Sequence, residues 1–271
     1  MTARDFLVFR LAGPMTAFGD IAVGERRSLW DAPSKSGVLG LIGACLGLTR
    51  DDAAAHVELD RQLGFAVRVD RAGRPLRDYH TAMAPTEAAR SRRQRQGRPL
   101  STRKDDLECD DLNTVLSERL YRVEAAVTVA LWQRPNHHRD LDGLRTALIR
   151  PTFVPYLGRK ACPLGAPPQP KIIMAPSLLA AFTRYDAELA ESDLLFRKTV
   201  RPMLRPPAAF GDSPVWFEWD AGLAAEEEMA EPVRLRRDSV RNRRLWQFAD
   251  RQEGRLIWQP SVVGLSEEGV P

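Results

Sequence analysis

Cysteine and histidine are scarce in this chain of 271 residues, which contains three cysteines and four histidines. The cysteines (Cys45, Cys109 and Cys162) are widely separated, so no C-x-x-C pair exists, and the histidines have no zinc-ligand spacing. This pattern argues against a structural zinc site. It fits a reducing cytosol, in which Cys45 on an apolar helix serves as a small core residue.

Long apolar runs are missing too. No segment approaches the length of a membrane span, and the N-terminal MTARDFLVFRLAG has too short an apolar run for a signal peptide. The composition, 44% hydrophobic and 28% charged, is that of an ordinary soluble globular protein. We therefore expect a cytoplasmic location, no membrane partner, and one large domain or two smaller ones.

Two catalytic signatures are absent as well. The segment PSKSG, which ends at Gly37, lacks the G-x-x-x-x-G-K-[ST] order of a P-loop. The acidic doublets Asp105-Asp106 and Asp110-Asp111 do not form a two-metal site, because adjacent residues on an extended chain point to opposite faces. We expect no metal, no cofactor and no nucleotide hydrolysis.

What the chain does contain near its start is a strand, a basic loop and a glycine-striped helix. The alternation over Arg4–Leu11 predicts a strand that is apolar on both faces. Either Ser34 or Ser36 can accept a hydrogen bond from a free backbone N–H and so open the helix as its N-cap. The glycines of the helix fall within a narrow arc, which would let its backbone lie close to another element. They are Gly40, Gly43 and Gly47.

Basic residues precede the start of this helix. Its unpaired N–H groups and its dipole favour an anion, arginine can clamp a phosphate through two N–H bonds, and lysine can act as a point charge. The predicted phosphate-binding site consists of Arg26, Arg27, Ser34, Lys35, Ser36 and Gly37. Taken alone, these residues fit equally well a surface loop followed by a well-capped helix.

The segment from Ala88 to Lys104 carries seven basic residues and no acid, and it has almost no apolar content. Such a segment cannot fold around a core of its own. Because its flanks, Tyr79–Met83 and Asn113–Val123, are strand-like, we predict a hairpin tip or arm that projects from a sheet and is mobile without its partner. The alternative is a disordered basic loop with no fixed partner.

The remaining elements indicate an α+β fold. Further strands are predicted at Phe65–Val69 and Ala125–Trp132, and a helix at Leu141–Ile149. Two successive strand–helix–strand units match a ferredoxin-like, RRM-type core. The predicted divisions are this domain over 1–165, with the arm at about 80–117, a small β-rich C-terminal domain over 166–260, and a disordered tail over 261–271.

A further candidate RNA contact lies in the segment PYLGRKACPL. An aromatic ring can stack on an unpaired base while neighbouring basic side chains bind its phosphate. The residues concerned are Tyr156, Gly158, Arg159 and Lys160. The alternative is a tight turn whose tyrosine packs inward. The run Arg234–Arg244, with six arginines, fits both a nucleic-acid channel and a solvated face.

Several motifs together resemble the CasD family of type I-E CRISPR Cascade subunits, within the RAMP superfamily. They are LAGPM…AFG, GERRSLWDAPSKSGVLGLIGACLG, RDYHT, VTVALW and YLGRKACPLG. Their order and spacing over roughly Phe6–Leu164 agree with the family, and the match beyond about Pro170 is much weaker. The resemblance implies a ferredoxin-like domain with a protruding β-hairpin thumb and a smaller C-terminal domain.

The same resemblance implies a non-catalytic subunit that caps the 5′ handle of CRISPR RNA (crRNA) in antiviral defence. Its partners would be the crRNA, the backbone subunit and the large subunit of the complex, with target DNA met only through that complex. The segment from Arg26 to Gly37 would hold the handle, and the thumb would press against the guide RNA. The other implied RNA-binding residues are Tyr79, His80, Arg103, Lys104, Tyr156, Gly158, Arg159 and Lys160.

Two other functions stay open. A metal-independent endoribonuclease that processes precursor crRNA needs a base, an acid and cations, and His80, Tyr79 and Lys104 are candidates for these roles. Nothing in the sequence shows that His80 lies near another candidate group, and a hydrogen-bonded strand histidine that positions RNA or protein is the simpler interpretation. A general single-strand RNA binder that works without a complex is the second alternative.

Overall fold

The computed structural model describes residues 3–19, 26–27, 29–97, 101–192 and 212–260. It divides into two compact units. The main unit comprises Met1–Phe18, Trp30–Arg74 and Arg122–Pro271, and the arm comprises Gly19–Leu29 and Pro75–Tyr121. The tail predicted over 261–271 lies outside the described residues.

The described chain contains strands and helices in mixed order. The strands are β1 (Arg4–Ala12), β2 (Met15–Thr16), β3 (Arg26–Arg27), β4 (Leu63–Arg71), β5 (Arg74–Pro85), β6 (Leu112–Val123), β7 (Ala126–Gln133), β8 (Lys171–Ala175), β9 (Ser213–Glu218), β10 (Glu231–Asn242) and β11 (Gln247–Trp258). The helices are α1 (Lys35–Cys45), α2 (Ala53–Gln62), α3 (Glu87–Arg95), α4 (Arg103–Leu107), α5 (Leu141–Ile149), α6 (Leu178–Ser192) and α7 (Ala224–Met229). Within the described ranges, no helix is long and apolar enough to cross a membrane.

Strand β1 lies inside a sheet with the order β10-β11-β9-β4-β7-β1-β8. It pairs antiparallel with β7 on one side and with β8 on the other. Phe6 and Val8 join Phe182 of α6 in the core on one face of the sheet. Leu7 and Phe9, which alternate with them, are fully buried on the other face. The predicted strand with two apolar faces is therefore confirmed.

The C-terminal strands continue the same sheet. Strand β9 pairs antiparallel with β4, for example Ala66 opposite Phe217, and β11 and β10 follow outward from it. The sequence predicts a separate C-terminal domain over 166–260, whereas the described strands of that range belong to the main unit. The physical reason is that β4 has a second edge, which β9 covers with backbone hydrogen bonds.

The arm is built on paired strands with a helical end. Strands β5 and β6 pair with each other, as the strand-like flanks predicted. The basic segment between them, predicted as a hairpin tip or arm, contains α3 and α4. Thr86 caps α3 by accepting from Ala89 N–H, and Thr102 and Asp105 form a reciprocal capping box at α4. Local caps thus supply order that composition alone did not indicate.

The glycines of α1 meet different neighbours. A Cβ at Gly43 would lie 2.7 Å from Cε1 of His56, a residue of α2, so the predicted close approach to another element is confirmed. Gly47 has φ +80 and follows the helix end, where Leu48 N–H donates to the carbonyl of Gly43. Cys45 is buried in the core, as predicted, and burial raises its thiol pKa to about 11.

Candidate nucleic-acid interface

Helix α1 begins where the sequence predicted it. Ser34 is the N-cap, and its Oγ accepts a hydrogen bond from Gly37 N–H at 3.0 Å. The Ser36 hydroxyl lies 3.2 Å from that of Ser34 and is almost buried. The well-capped helix is therefore confirmed, whereas phosphate binding at its start stays a prediction.

An internal carboxylate already occupies the start of α1. Lys35 N–H, the first amide of the helix, donates to Asp238 Oδ2 at 2.7 Å in a buried contact. Asp238 lies on β10 and is itself almost inaccessible to solvent. The positive end of a helix dipole stabilises a nearby anion. Asp238, from the C-terminal half of the chain, therefore provides at this helix start some of the negative charge that a bound phosphate would provide.

The Lys35 side chain points into the main unit. It is 0% exposed, and its Nζ donates to the Asp60 carbonyl at 2.8 Å and to Glu218 Oε1 at 3.0 Å. Burial lowers the pKa of this ammonium, while Glu218 and Asp60 act to raise it. Because the ammonium is enclosed and paired in this conformation, a phosphate contact through Lys35 would require it to leave these partners, and that contact stays a prediction. Lys35 belongs to the first turn of α1, and its side chain extends inward beneath the helix.

Arg236 of the run Arg234–Arg244 and Arg251 of β11 belong to the same buried cluster. Arg251 Nε donates to Asp238 Oδ1 at 2.6 Å, and its Nη2 donates to Glu253 at 2.6 Å. Arg236 lies 3.4 Å from each of these carboxylates, and burial lowers the pKa of its guanidinium. The sequence offered two interpretations of this run, a nucleic-acid channel and a solvated face. Neither fits Arg236, because its guanidinium is buried and paired with internal acids.

Arg26 and Arg27 form β3, which pairs in parallel with Glu118 and Arg119 of β6. Their side chains lie outside the described part of the structure. The backbone pairing shows an extended local conformation for both residues. Their predicted contact with phosphate stays a prediction.

The segment from Tyr156 to Pro163 is a tight turn with an exposed rim. Leu157 N–H donates to the Cys162 carbonyl at 2.8 Å and closes the turn. Gly158 has φ +90, and a Cβ there would collide with the Ala17 carbonyl, so glycine is required. The backbone thus forms the tight turn of the alternative interpretation. The tyrosine does not pack fully inward as that interpretation required, because Tyr156 is 40% exposed. In the same turn Lys160 is exposed and Arg159 half-buried.

Arg243 packs against the start of α1. Its Nη1 donates to the Ser36 carbonyl at 3.1 Å, and the guanidinium occupies the space that a Cβ of Gly40 would fill. Burial lowers the pKa of Arg243, and Tyr156 acts to raise it. A predicted RNA-binding segment is therefore held by an arginine that the sequence did not single out, because it belongs to an ambiguous basic run.

In the arm, the predicted contact residues are accessible. Tyr79 and His80 are exposed on β5, and the His80 ring pairs with the Asp78 carboxylate two residues earlier, on the same strand face. Lys104 is 85% exposed, 3.8 Å from Glu108. Arg103 donates to the Met83 carbonyl and lies 3.5 Å from Asp106.

The arm also presents arginines that the sequence named only as part of a run. Arg90, Arg92 and Arg95 of α3 are exposed, whereas Arg93 donates to the Asp105 carbonyl at 2.9 Å and so joins α3 to α4. Among the described residues, no group of three or more histidine, cysteine or acidic side chains could hold a metal ion. The chemistry on offer in the arm is therefore positive charge with an exposed aromatic ring.

Two solved structures resemble the chain over most of its length. One, described as a CRISPR RNA-guided surveillance complex, aligns with a TM-score of 0.55 and 24% identity, and the alignment covers 94% of this chain and 90% of that one. The other, described as the crystal structure of a Cas protein, has the same TM-score and identity and covers 94% and 95%. At this identity the likeness establishes the fold, a mixed α+β arrangement with antiparallel sheets.

The family follows from the sequence. The profile described as CRISPR-associated protein (Cas_Cas5) matches residues 6–246, so the chain belongs to the Cas5 family of CRISPR-associated proteins. It is similar to the CRISPR system Cascade subunit CasD of Escherichia coli (strain K12), with 36% identity over 172 residues. That alignment covers 60% of this chain and 69% of CasD.

Proposed function

We propose that this protein is a non-catalytic RNA-binding subunit of a type I-E CRISPR Cascade surveillance complex and caps the 5′ handle of crRNA. The Cascade assignment rests on CasD, a relative at 36% identity whose name describes a Cascade subunit. In this role the protein anchors a backbone subunit and the large subunit in the cytoplasm. It meets target DNA only through the assembled complex.

The strand order supports a ferredoxin-like core. Strands β8, β1, β7 and β4 are consecutive in the sheet, and each adjacent pair is antiparallel. Helices α1 and α2 connect β1 to β4, and α5 connects β7 to β8, which gives two interlocked strand–helix–strand units. RRM domains use this arrangement to bind single-stranded RNA.

The observation that carries the RNA-binding part is the exposed positive charge of the arm. Helix α3 has four arginines against one acid, Glu87, and Lys104 of α4 is almost fully solvated. Each phosphate that such a surface neutralises releases condensed counterions, which favours binding to any RNA strand. The exposed ring of Tyr79 adds a surface on which a base can stack.

In the main unit, the proposed handle contacts are the start of α1 and the turn that contains Gly158. Ser34, Ser36 and Gly37 contribute through the helix start and Lys35 only by holding that start in place. The main-unit side chains proposed to meet the RNA directly are Tyr156, Arg159 and Lys160. Arg26 and Arg27, which belong to the arm, are proposed to meet the RNA as well.

An endoribonuclease is the second candidate, favoured by one observation. A carboxylate can orient an imidazole for proton transfer, and Asp78 pairs with His80 on the exposed face of β5. This reading predicts that His80→Ala abolishes cleavage of precursor RNA and leaves binding intact.

A gel assay without metal separates the two. The full chain is incubated with a labelled precursor that contains the cognate repeat, and with a mature guide whose 5′ handle is intact or scrambled. Handle-dependent binding without cleavage is the expected result. Specific cleavage within the repeat, lost in His80→Ala, would overturn the non-catalytic proposal. Equal binding of both handles would instead indicate a general single-strand binder.

A further inference from the structure

The turn between β10 and β11 exposes a tryptophan. The turn runs over Arg243–Trp246, and Asn242 stabilises it by accepting from Leu245 N–H through Oδ1 at 3.0 Å. Trp246 is 55% exposed although it is the largest apolar side chain of the turn. An exposed indole offers a face on which a flat ligand can stack.

The backbone of this tryptophan is strained. Its φ is +53, a left-handed conformation that asparagine or glycine adopts at lower cost than a bulky residue. Since the side chain is largely solvated, burial in the core does not compensate for this cost. A strained conformation at an exposed aromatic residue indicates a role outside folding.

Two guanidinium groups accompany the ring. The Cζ atoms of Arg243 and Arg50 lie 4.9 Å and 5.3 Å from the centroid of Trp246. Within the described ranges, neither arginine forms an ion pair with a carboxylate, whereas the neighbouring Arg244 lies 3.6 Å from Asp51. We call Trp246, Arg243 and Arg50 the platform. It combines an aromatic face with two positive charges that are not paired with a carboxylate of the described residues.

The platform is continuous with a segment proposed to bind RNA. Arg243 donates to the Ser36 carbonyl at the start of α1. A nucleotide strand that reaches the start of α1 therefore meets an aromatic ring and further positive charge. Unpaired RNA is recognised by this combination, in which bases stack on aromatic rings while cations bind the phosphates.

We infer that Trp246 is a base-stacking residue for single-stranded crRNA and that Arg243 and Arg50 bind the adjacent phosphates. The inference deepens the proposed function and rests on it, because it extends the handle-binding surface onto the β10–β11 turn. The ligand is a nucleotide of unpaired RNA, with the base on the indole and the phosphate on the guanidinium groups.

The test compares substitutions within the same turn. Trp246→Asn should weaken binding of a fluorescein-labelled guide RNA with its intact 5′ handle by about tenfold, as expected for loss of one stacked base. Trp246→Phe should retain most of the affinity. The matched control is Leu245→Ala, which removes an adjacent exposed apolar side chain and should leave affinity unchanged.

A second readout excludes a merely structural role. Because asparagine tolerates the left-handed backbone, Trp246→Asn should keep or raise the thermal unfolding midpoint while it weakens RNA binding. A lowered midpoint with unchanged affinity would overturn the inference and make Trp246 a structural residue. Arg243→Gln should reduce the salt dependence of binding by about one phosphate contact, whereas Trp246→Asn should leave it unchanged.

The outcomes also separate this inference from the proposed function. If the unsubstituted protein does not prefer the intact handle, the proposed function fails regardless of Trp246. If it does prefer the intact handle and Trp246→Asn binds like Leu245→Ala, only the stacking inference fails. Unchanged RNA affinity combined with loss of assembly with a backbone subunit would assign the platform to a protein partner and overturn the inference.

Discussion

Two arginines of β10 and β11 and the exposed arginines of the arm have opposite environments. Arg236 and Arg251 are buried and paired with Asp238 and Glu253, so their charge is neutralised inside the main unit. On α3 of the arm, arginines such as Arg92 lie in solvent. Both runs are rich in arginine. What separates them is whether acids are available as partners, because Arg234–Arg244 contains Asp238 and pairs with the strand that carries Glu253, whereas Ala88–Lys104 contains no acid.

The comparison explains which basic residues are able to meet RNA. A buried ion pair has already lost its hydration and gained its partner, so it offers little to a phosphate. An exposed arginine keeps its hydration until it meets a phosphate, and by neutralising that phosphate it releases counterions condensed on the RNA. Counting basic residues in the sequence therefore overestimates the binding surface. Arginines and lysines that are buried with internal acids do not contribute to it.

The largest expected effect contrasts two lysines that the sequence assigned the same role. Lys35→Ala leaves Glu218 and Asp60 buried without their shared cation, so the free energy of unfolding should fall by about 3–5 kcal/mol. Lys104→Ala removes a solvated charge and should change it by less than about 0.5 kcal/mol. Urea denaturation of both variants, followed by circular dichroism, measures the difference.

RNA binding by the same pair sharpens the contrast. Lys104→Ala should weaken binding of guide RNA and lower its salt dependence, because one phosphate contact is lost. If Lys35→Ala instead folded with unchanged stability and lost RNA affinity, Lys35 would be a phosphate ligand. The description of Lys35 as buried and paired with Asp60 and Glu218 would then be incorrect.

A smaller effect on the free energy of unfolding is expected within α1. Gly43 faces the fixed ring of His56, whereas Gly40 faces the movable end of Arg243. Gly43→Ala forces a methyl group against the His56 ring, which is buried and held by the Thr49 carbonyl at 2.9 Å. We expect a loss of about 1–3 kcal/mol in the free energy of unfolding.

Gly40→Ala is the matched control. The methyl group meets the far end of Arg243, which can swing aside, and alanine gains helix propensity of about 1 kcal/mol over glycine. Thermal unfolding should therefore show a change near zero or a slight gain for this variant. Equal destabilisation of both variants would mean that Arg243 is as rigidly held as His56.

Local patterns predicted the elements of the core well. The strand at β1, the Ser34 cap and the bounds of α5 follow from alternation, capping chemistry and a following proline, all of which act within a few residues. The pairing of β9 with β4 could not be predicted in this way. It joins Ala66 to Phe217, and nothing local to either segment encodes which sheet edge is open.

The candidate site shows the same limit. Lys35 stands between two serines at a helix start, a setting that favours anion binding, and its partners Asp60 and Glu218 lie far away in the sequence. Trp246 and Arg243 attracted no notice because their neighbours come from α1 and from the segment before α2. Residues whose role depends on distant partners need the fold before they can be assigned.

The most direct test of the account is the salt dependence of binding to a guide RNA with its intact 5′ handle. Replacing the exposed arginines of α3 together, as Arg90→Gln, Arg92→Gln and Arg95→Gln, should reduce the slope of log affinity against log salt by about 2. Stability should not change. As a control, Arg61→Gln removes an exposed arginine of α2 that is paired with Glu58 at 2.8 Å, and it should leave the slope unchanged. A slope unaltered by the triple substitution would contradict the claim that the arm binds the guide RNA through its solvated charge.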